Sequence, residues 1–222
     1  FATPDGRYRF GIDSTAAPDL AVWAEAELKP VVLEWYPKIV AMLPSDGFEA
    51  ATDVLLRFRN DMGGIPASAG GGRVNMNAGW FRRELDREAR GAVVHELVHV
   101  VQDYRRARRT NSDAVRTPGW IVEGLPDYIR WFLYEPETRG AEITERNIDS
   151  ARYNASYRIS GNFLKWVVET HDKDLIRKLN AAAREGRYEE ALWEEWTGSK
   201  LEDLGTEWKQ ACEERLRSSV AE

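Results

Sequence analysis

Residues 84–106 read ELDREARGAVVHELVHVVQDYRR and contain two histidines four positions apart, His95 and His99. The apolar residues recur with helical spacing and no proline interrupts them, so the segment is predicted to be one helix. Its centre is apolar on nearly every side, which is typical of a buried helix. Residues four apart share a helix face, so both imidazoles are expected to point toward a common metal ion. The alternative is a core helix whose histidines bond to the backbone.

Glu96 lies directly after the first histidine of this helix. A charged carboxylate in a buried apolar helix is costly and needs a reason. In a catalytic zinc site the glutamate of this motif takes a proton from a water at the open metal position. Glu96 is therefore predicted to be the general base.

A catalytic zinc takes three protein ligands, so a third donor is needed. The metzincin spacing requires a histidine at position 105, but Arg105 stands there, and that possibility is rejected. His171 is the only other histidine and lies in a polar stretch typical of a helix end, where a solvated or capping role is expected. Glu123, in the segment GWIVEGLPD (Gly119–Asp127), is the better candidate.

Asp127 follows Glu123 by four residues, so the two carboxylates share a helix face. Asp127 is predicted to accept a hydrogen bond from the far nitrogen of a ligating histidine. Pro126 lies between them and is tolerated best in the first turn of a helix. This helix is therefore predicted to run from Glu123 to Tyr134. The alternative to a metal role is that the two carboxylates form an exposed acidic first turn.

The motif HELVH, followed after residues 100–122 by Glu123 in a Trp-x-x-Glu-Gly context, is similar to the gluzincin metallopeptidases. The segments HELVHVVQDY and WIVEGLPDYIR resemble the basic secretory protein family, peptidases of plants and bacteria. The resemblance extends loosely over residues 65–208. It implies a secreted or periplasmic zinc peptidase that binds one Zn²⁺ per chain through His95, His99 and Glu123.

The resemblance also implies residues that contact the substrate. A tyrosine at the start of a glycine-containing helix assists the oxyanion in several gluzincins, and Tyr157 in YRISGNFL has that setting, with Tyr153 as competitor. A packed aromatic is the alternative for Tyr157. An edge strand before the metal helix binds the substrate backbone in gluzincin folds, and this role is expected for Arg73, Asn75 and Asn77. A protected edge or hairpin tip is the alternative.

The predicted fold is α+β and zincin-like, with two lobes in a single metallopeptidase domain, 1–222. The lobe of about residues 1–112 should carry a small twisted sheet and the metal helix, and that of about 113–222 should be almost all helical. Strands are predicted at 7–13, 54–59, 65–69 and 73–77, and a helix divided by prolines at 17–43. Further helices are predicted at 153–170, 174–185, 188–196 and 201–216.

Composition restricts the partners. The net charge is −6 and the charges are mixed in sign, without a long basic block, so no nucleic acid is expected. No apolar run approaches the roughly 20 residues that span a bilayer, so no membrane anchor is expected. The sequence shows neither an initial Met nor a signal peptide. The expected partner is a peptide or protein substrate, bound by a monomer.

Three classes of function fit these residues. A zinc endopeptidase is the expected one. A zinc amidase acting on a non-protein amide would use the same metal residues. A catalytically silent fold used for binding would have no reason to keep Glu96 together with both histidines and Glu123.

Overall fold

A computed structural model of the chain describes residues 1–220, which form two compact units, Phe1–Asp103 and a unit that begins at Tyr104. The first unit contains a four-stranded mixed sheet together with helices. In the described part of the second unit, all regular secondary structure is helical. These observations confirm the expected α+β class. The more specific zincin-like arrangement stays a prediction.

The sheet of the first unit has the strand order β1-β2-β4-β3. The strands are β1 (Arg9–Asp13), β2 (Asp53–Arg59), β3 (Ala67–Gly70) and β4 (Arg73–Asn77). Strands β1, β2 and β4 are mutually parallel, and β3 runs antiparallel to β4. Alternate side chains of β2 are buried, as the period of two predicted, so one face of the sheet packs on the core.

Strands β3 and β4 form the predicted hairpin, and Gly71 and Gly72 turn the chain with φ of 58° and 73°. Residues with a side chain rarely adopt a positive φ, so glycine suits both positions. The expectation that β4 is an edge strand is wrong, because β4 pairs with β2 on one side and with β3 on the other. The edge on this side of the sheet is β3. A peptide cannot pair with β4 without displacing a neighbour, so the basis for assigning Arg73, Asn75 and Asn77 to substrate binding is lost.

A helix that the sequence analysis missed, α3 (Ala78–Glu84), follows β4 directly. The Asn77 side chain accepts hydrogen bonds from the amides of Gly79 and Trp80, at 3.1 and 3.3 Å. Its own amide donates to the carbonyls of Gly63 and Ile65, at 2.9 and 3.0 Å. Asn77 therefore caps α3 and ties it to the preceding loop.

The long N-terminal helix is divided just before Pro30, as predicted, but not at Pro37. It comprises a 3₁₀ turn (Pro18–Leu20), α1 (Ala21–Trp23), a π-helical segment (Ala24–Leu28) and α2 (Lys29–Met42). The π segment lies just before Pro30, whose nitrogen has no hydrogen to donate to the preceding turn. Pro37 lies inside α2 without ending it.

The second unit is built from six α-helices within the described residues. They are α5 (Arg105–Thr110), α6 (Gly119–Tyr128), α7 (Tyr157–Thr170), α8 (Leu175–Glu185), α9 (Ala191–Thr197) and α10 (Leu201–Val220). A π segment (Ile129–Tyr134) and a 3₁₀ turn (Pro136–Thr138) follow α6. The predicted helices near α7 to α10 are confirmed with small differences at their ends.

Helices α6 and α7 approach closely through two glycines. A Cβ atom on Gly124 would lie 2.7 Å from the Cβ of Ser160, and one on Gly161 would lie 2.9 Å from the amide nitrogen of Tyr128. Neither position has room for a side chain, so the glycines determine how α6 packs. None of the helices in the described part of the chain is both long enough and apolar enough to cross a membrane.

Candidate metal centre

The two histidines lie on α4 (Ala89–Gln102), which is buried along most of its length. Helix α4 packs against α2, β3 and β4. It is shorter than the predicted 84–106 helix because Asp103 adopts a left-handed conformation, with φ of 37°, and ends it. A buried helix packed on three elements holds its side chains rigidly, which suits a metal site.

The imidazoles of His95 and His99 face each other across one turn of α4. Their Nε2 atoms lie 3.1 Å apart, and the side chain of His95 is largely buried. A tetrahedral zinc ion with nitrogen ligands at 2.0–2.1 Å separates two such nitrogens by about 3.3 Å. The spacing of the pair is therefore close to what a shared zinc ion requires.

The second ring nitrogen of His99 has a protein partner. Nδ1 of His99 lies 2.7 Å from Oε1 of Gln102, a side chain that is only 2% exposed. The sequence alone did not predict this contact. The signal that could have found it is the spacing of three residues, which puts Gln102 on the same helix face as His99.

Glu96 lies on α4 next to His95 and is 8% exposed. Burial of a carboxylate is costly, and the prediction of a buried glutamate in this helix is confirmed. Its role as general base stays a prediction.

Glu123 is the carboxylate that joins the histidines. One ligand atom from each of His95, His99 and Glu123 lies within 4.8 Å of the others, so the three residues could hold a metal ion. Two imidazole nitrogens and one carboxylate oxygen are a donor set found in catalytic zinc sites. The residues present therefore fit the metal that the sequence pattern implied.

Helix α6 carries both Glu123 and Asp127, but it begins at Gly119. The expectation that it begins at Glu123, with Pro126 in its first turn, is wrong. Pro126 lies inside α6, and the chain widens into the π segment shortly after it. The spacing of Glu123 and Asp127 on one helix face is unaffected. Asp127 is 4% exposed, so the alternative of an exposed acidic turn is wrong for this residue.

The two candidate tyrosines differ in their surroundings. Tyr157 is the first residue of α7 and is 55% exposed, which argues against a packed aromatic. The Tyr153 ring packs against Trp120 and Phe163, with ring centroids 5.2 and 5.5 Å apart, and burial raises the pKa of its hydroxyl. Tyr157 is therefore the more accessible of the two to solvent, and its catalytic role stays a prediction.

His171 lies at the C-terminal end of α7, as its sequence context predicted. Its Nδ1 atom is 2.7 Å from the hydroxyl of Thr170, and its Nε2 atom is 3.6 Å from the carboxylate of Glu207. It does not belong to the group of possible metal ligands found among the described residues.

The fold and the donor group define an α+β protein with a candidate metal centre. The sequence model of a family described as peptidase of plants and bacteria matches residues 36–208. This range covers well over half of the chain, so the chain belongs to that family, the basic secretory proteins, and the resemblance seen in the sequence is confirmed. No curated protein and no solved structure is significantly similar to the chain.

Proposed function

We propose that this protein is a zinc-dependent endopeptidase that binds one Zn²⁺ through His95, His99 and Glu123. The observation that carries the proposal is the convergence of two imidazoles and one carboxylate within 4.8 Å. The description of its family as a peptidase supports the choice of reaction. The family name also supports export, and we propose that the protein acts in the periplasm or outside the cell.

A bound zinc ion supplies Lewis acidity, which makes an attacking water more acidic and polarises the scissile carbonyl. In the proposed mechanism, a carboxylate oxygen of Glu96 accepts the proton of that water. Glu96 then passes the proton to the nitrogen of the leaving amine. The water oxygen forms a bond to the carbonyl carbon, the bond between that carbon and the amide nitrogen breaks, and the proton taken from water ends on the leaving amine.

The oxygen of the scissile carbonyl gains negative charge as the water adds to the carbon, and a hydrogen-bond donor stabilises it. We assign this role to the hydroxyl of Tyr157, since Tyr153 is packed within an aromatic cluster. Asp127 is proposed to orient a ligating histidine.

We propose that the substrate backbone pairs with β3. The expected pairing with β4 is ruled out because β4 already has a neighbour on each side. Strand β3 is one of the two edges of the sheet and packs against α4, the helix that carries both histidines. Its residues are Ala67, Ser68, Ala69 and Gly70, which carry small side chains or none. An unpaired edge strand binds extended peptides through main-chain hydrogen bonds.

The test is metal analysis of the purified protein together with hydrolysis of an unfolded protein substrate. We expect about one zinc per chain, cleavage at internal peptide bonds, loss of activity with a chelator and recovery when zinc is restored. Zinc binding with hydrolysis of small amides but not of peptides would favour an amidase. Zinc-independent cleavage, or no hydrolysis of any amide, would contradict the proposal.

A further inference from the structure

The contact between His99 and Gln102 determines where the proton of the imidazole lies. A neutral histidine carries one proton, on either Nδ1 or Nε2, and the other nitrogen has a lone pair. The oxygen of the Gln102 side chain, 2.7 Å from Nδ1, can only accept a hydrogen bond. Nδ1 of His99 must therefore donate, and the lone pair lies on Nε2.

The lone pair of Nε2 is directed to the side of His99 on which His95 lies. The Nε2 atoms of the two residues are 3.1 Å apart, and both residues belong to the candidate metal group. A histidine binds a metal ion only through a nitrogen that has a lone pair. Gln102 favours the tautomer with the proton on Nδ1, and this is the tautomer that metal binding by Nε2 requires.

The Gln102 side of this hydrogen bond is buried. Gln102 is 2% exposed and is the last residue of α4, directly before the left-handed Asp103 that ends the helix. Both side chains lie on one face of a packed helix, so the distance between them is maintained by the backbone. His99 itself is half-buried, and the buried amide of Gln102 supplies its Nδ1 with a protein acceptor.

We propose that Gln102 is a positioning residue that holds His99 in the Nδ1–H form, so that Nε2 is ready to bind the metal. The metal part of this inference rests on the proposed function. The inference that Nδ1 of His99 carries the proton concerns the metal-free protein and does not rest on the proposed function.

Three variants test the proposal. Gln102→Met removes the acceptor while keeping a side chain of similar length. Gln102→Glu keeps an acceptor oxygen and serves as the rescuing variant. Val101→Ala trims a fully buried neighbour on α4 without changing any acceptor and controls for lost stability.

The first measurement is the position of the His99 proton in the metal-free protein, from long-range ¹H–¹⁵N NMR of the imidazole. We expect the Nδ1–H form in the unmodified protein and in Gln102→Glu and Val101→Ala, and a mixture of both forms in Gln102→Met. An Nε2–H form of His99 in the unmodified protein would overturn the proposal, and this measurement does not depend on the folding of any variant.

The second measurement is zinc affinity by competition with a chromophoric chelator. Loss of a partner that orients a ligand lowers metal affinity by about 10- to 100-fold. We expect that loss for Gln102→Met, and near-normal affinity for Gln102→Glu and Val101→Ala. Equal affinity in Gln102→Met and the unmodified protein would overturn the proposal, as would an equal loss in Val101→Ala. If the unmodified protein bound no zinc, the proposed function would fail, and the NMR measurement would still decide the role of Gln102.

Discussion

The Nε2 atoms of His95 and His99 lie 3.1 Å apart on successive turns of one buried helix. The helix backbone fixes this spacing, because α4 is packed against α2, β3 and β4. A metal ion bound here would therefore meet two nitrogen atoms that are already oriented, so little conformational entropy would be lost on binding. The third candidate ligand, Glu123, lies on α6.

Replacing any one of the three candidate ligands should remove the metal. We expect His99→Ala and Glu123→Ala to retain far less than one zinc per chain after dialysis, since three protein ligands are needed for a catalytic site. His171→Ala is the matched control, because that histidine lies at the end of α7 and outside the group. Elemental analysis checks the prediction, and full zinc occupancy in His99→Ala would disprove the ligand set.

Asp127 should affect the metal without binding it. Asp127→Ala removes the carboxylate of this buried side chain, and with it the proposed hydrogen-bond acceptor. Zinc affinity should fall by about 10- to 100-fold, while the protein stays folded. Affinity is measured by chelator competition and folding by circular dichroism. Unchanged affinity in a folded variant would show that Asp127 has no bearing on the site.

Replacing Asn77 tests whether this residue caps α3 or contacts the substrate. Asn77→Ala removes the cap of α3, and this should lower the free energy of unfolding by about 1 kcal/mol. The Michaelis constant for a peptide substrate should not change, because β4 is paired on both sides. Denaturant unfolding and steady-state kinetics check the two parts. A raised Michaelis constant with unchanged stability would restore the substrate role.

Gly124 should be essential for the packing of α6 on α7. Gly124→Ala places a Cβ atom 2.7 Å from that of Ser160, and overpacking of this kind costs about 1–3 kcal/mol. Gly119→Ala is the matched control on the same helix, where a Cβ would meet nothing within 4 Å. Thermal unfolding should show a lower midpoint for Gly124→Ala alone. Equal midpoints for the two variants would show that the helices adjust without cost.

The features that local sequence could predict are those encoded within a few residues. The spacing of His95 and His99, the apolar surroundings of α4 and the position of Glu123 in its motif all lie in short segments. Helical periodicity also predicted α7 to α10, because amphipathic faces repeat within each helix.

The features that sequence could not predict depend on contacts between distant segments or on competing local signals. The place of β4 between β2 and β3 follows from strand pairing, which alternation within one strand does not encode. The start of α6 is not evident from the sequence because proline favours the first turn of a helix, whereas Pro126 lies near the end of α6 and the chain widens afterwards. The spacing of Gln102 and His99 permits their contact, but only the side-chain positions show that it forms.

The most direct test of the peptidase mechanism is Glu96→Gln, compared with Glu25→Gln. Glu25 is an exposed carboxylate paired with Lys29, so its variant controls for the loss of one charge. Glu96→Gln keeps the shape of the side chain but cannot take up the proton of the attacking water. Zinc content should stay near one per chain while turnover falls by about 10²- to 10⁴-fold, the usual contribution of general acid–base catalysis. Near-normal turnover in zinc-loaded Glu96→Gln would contradict the mechanism.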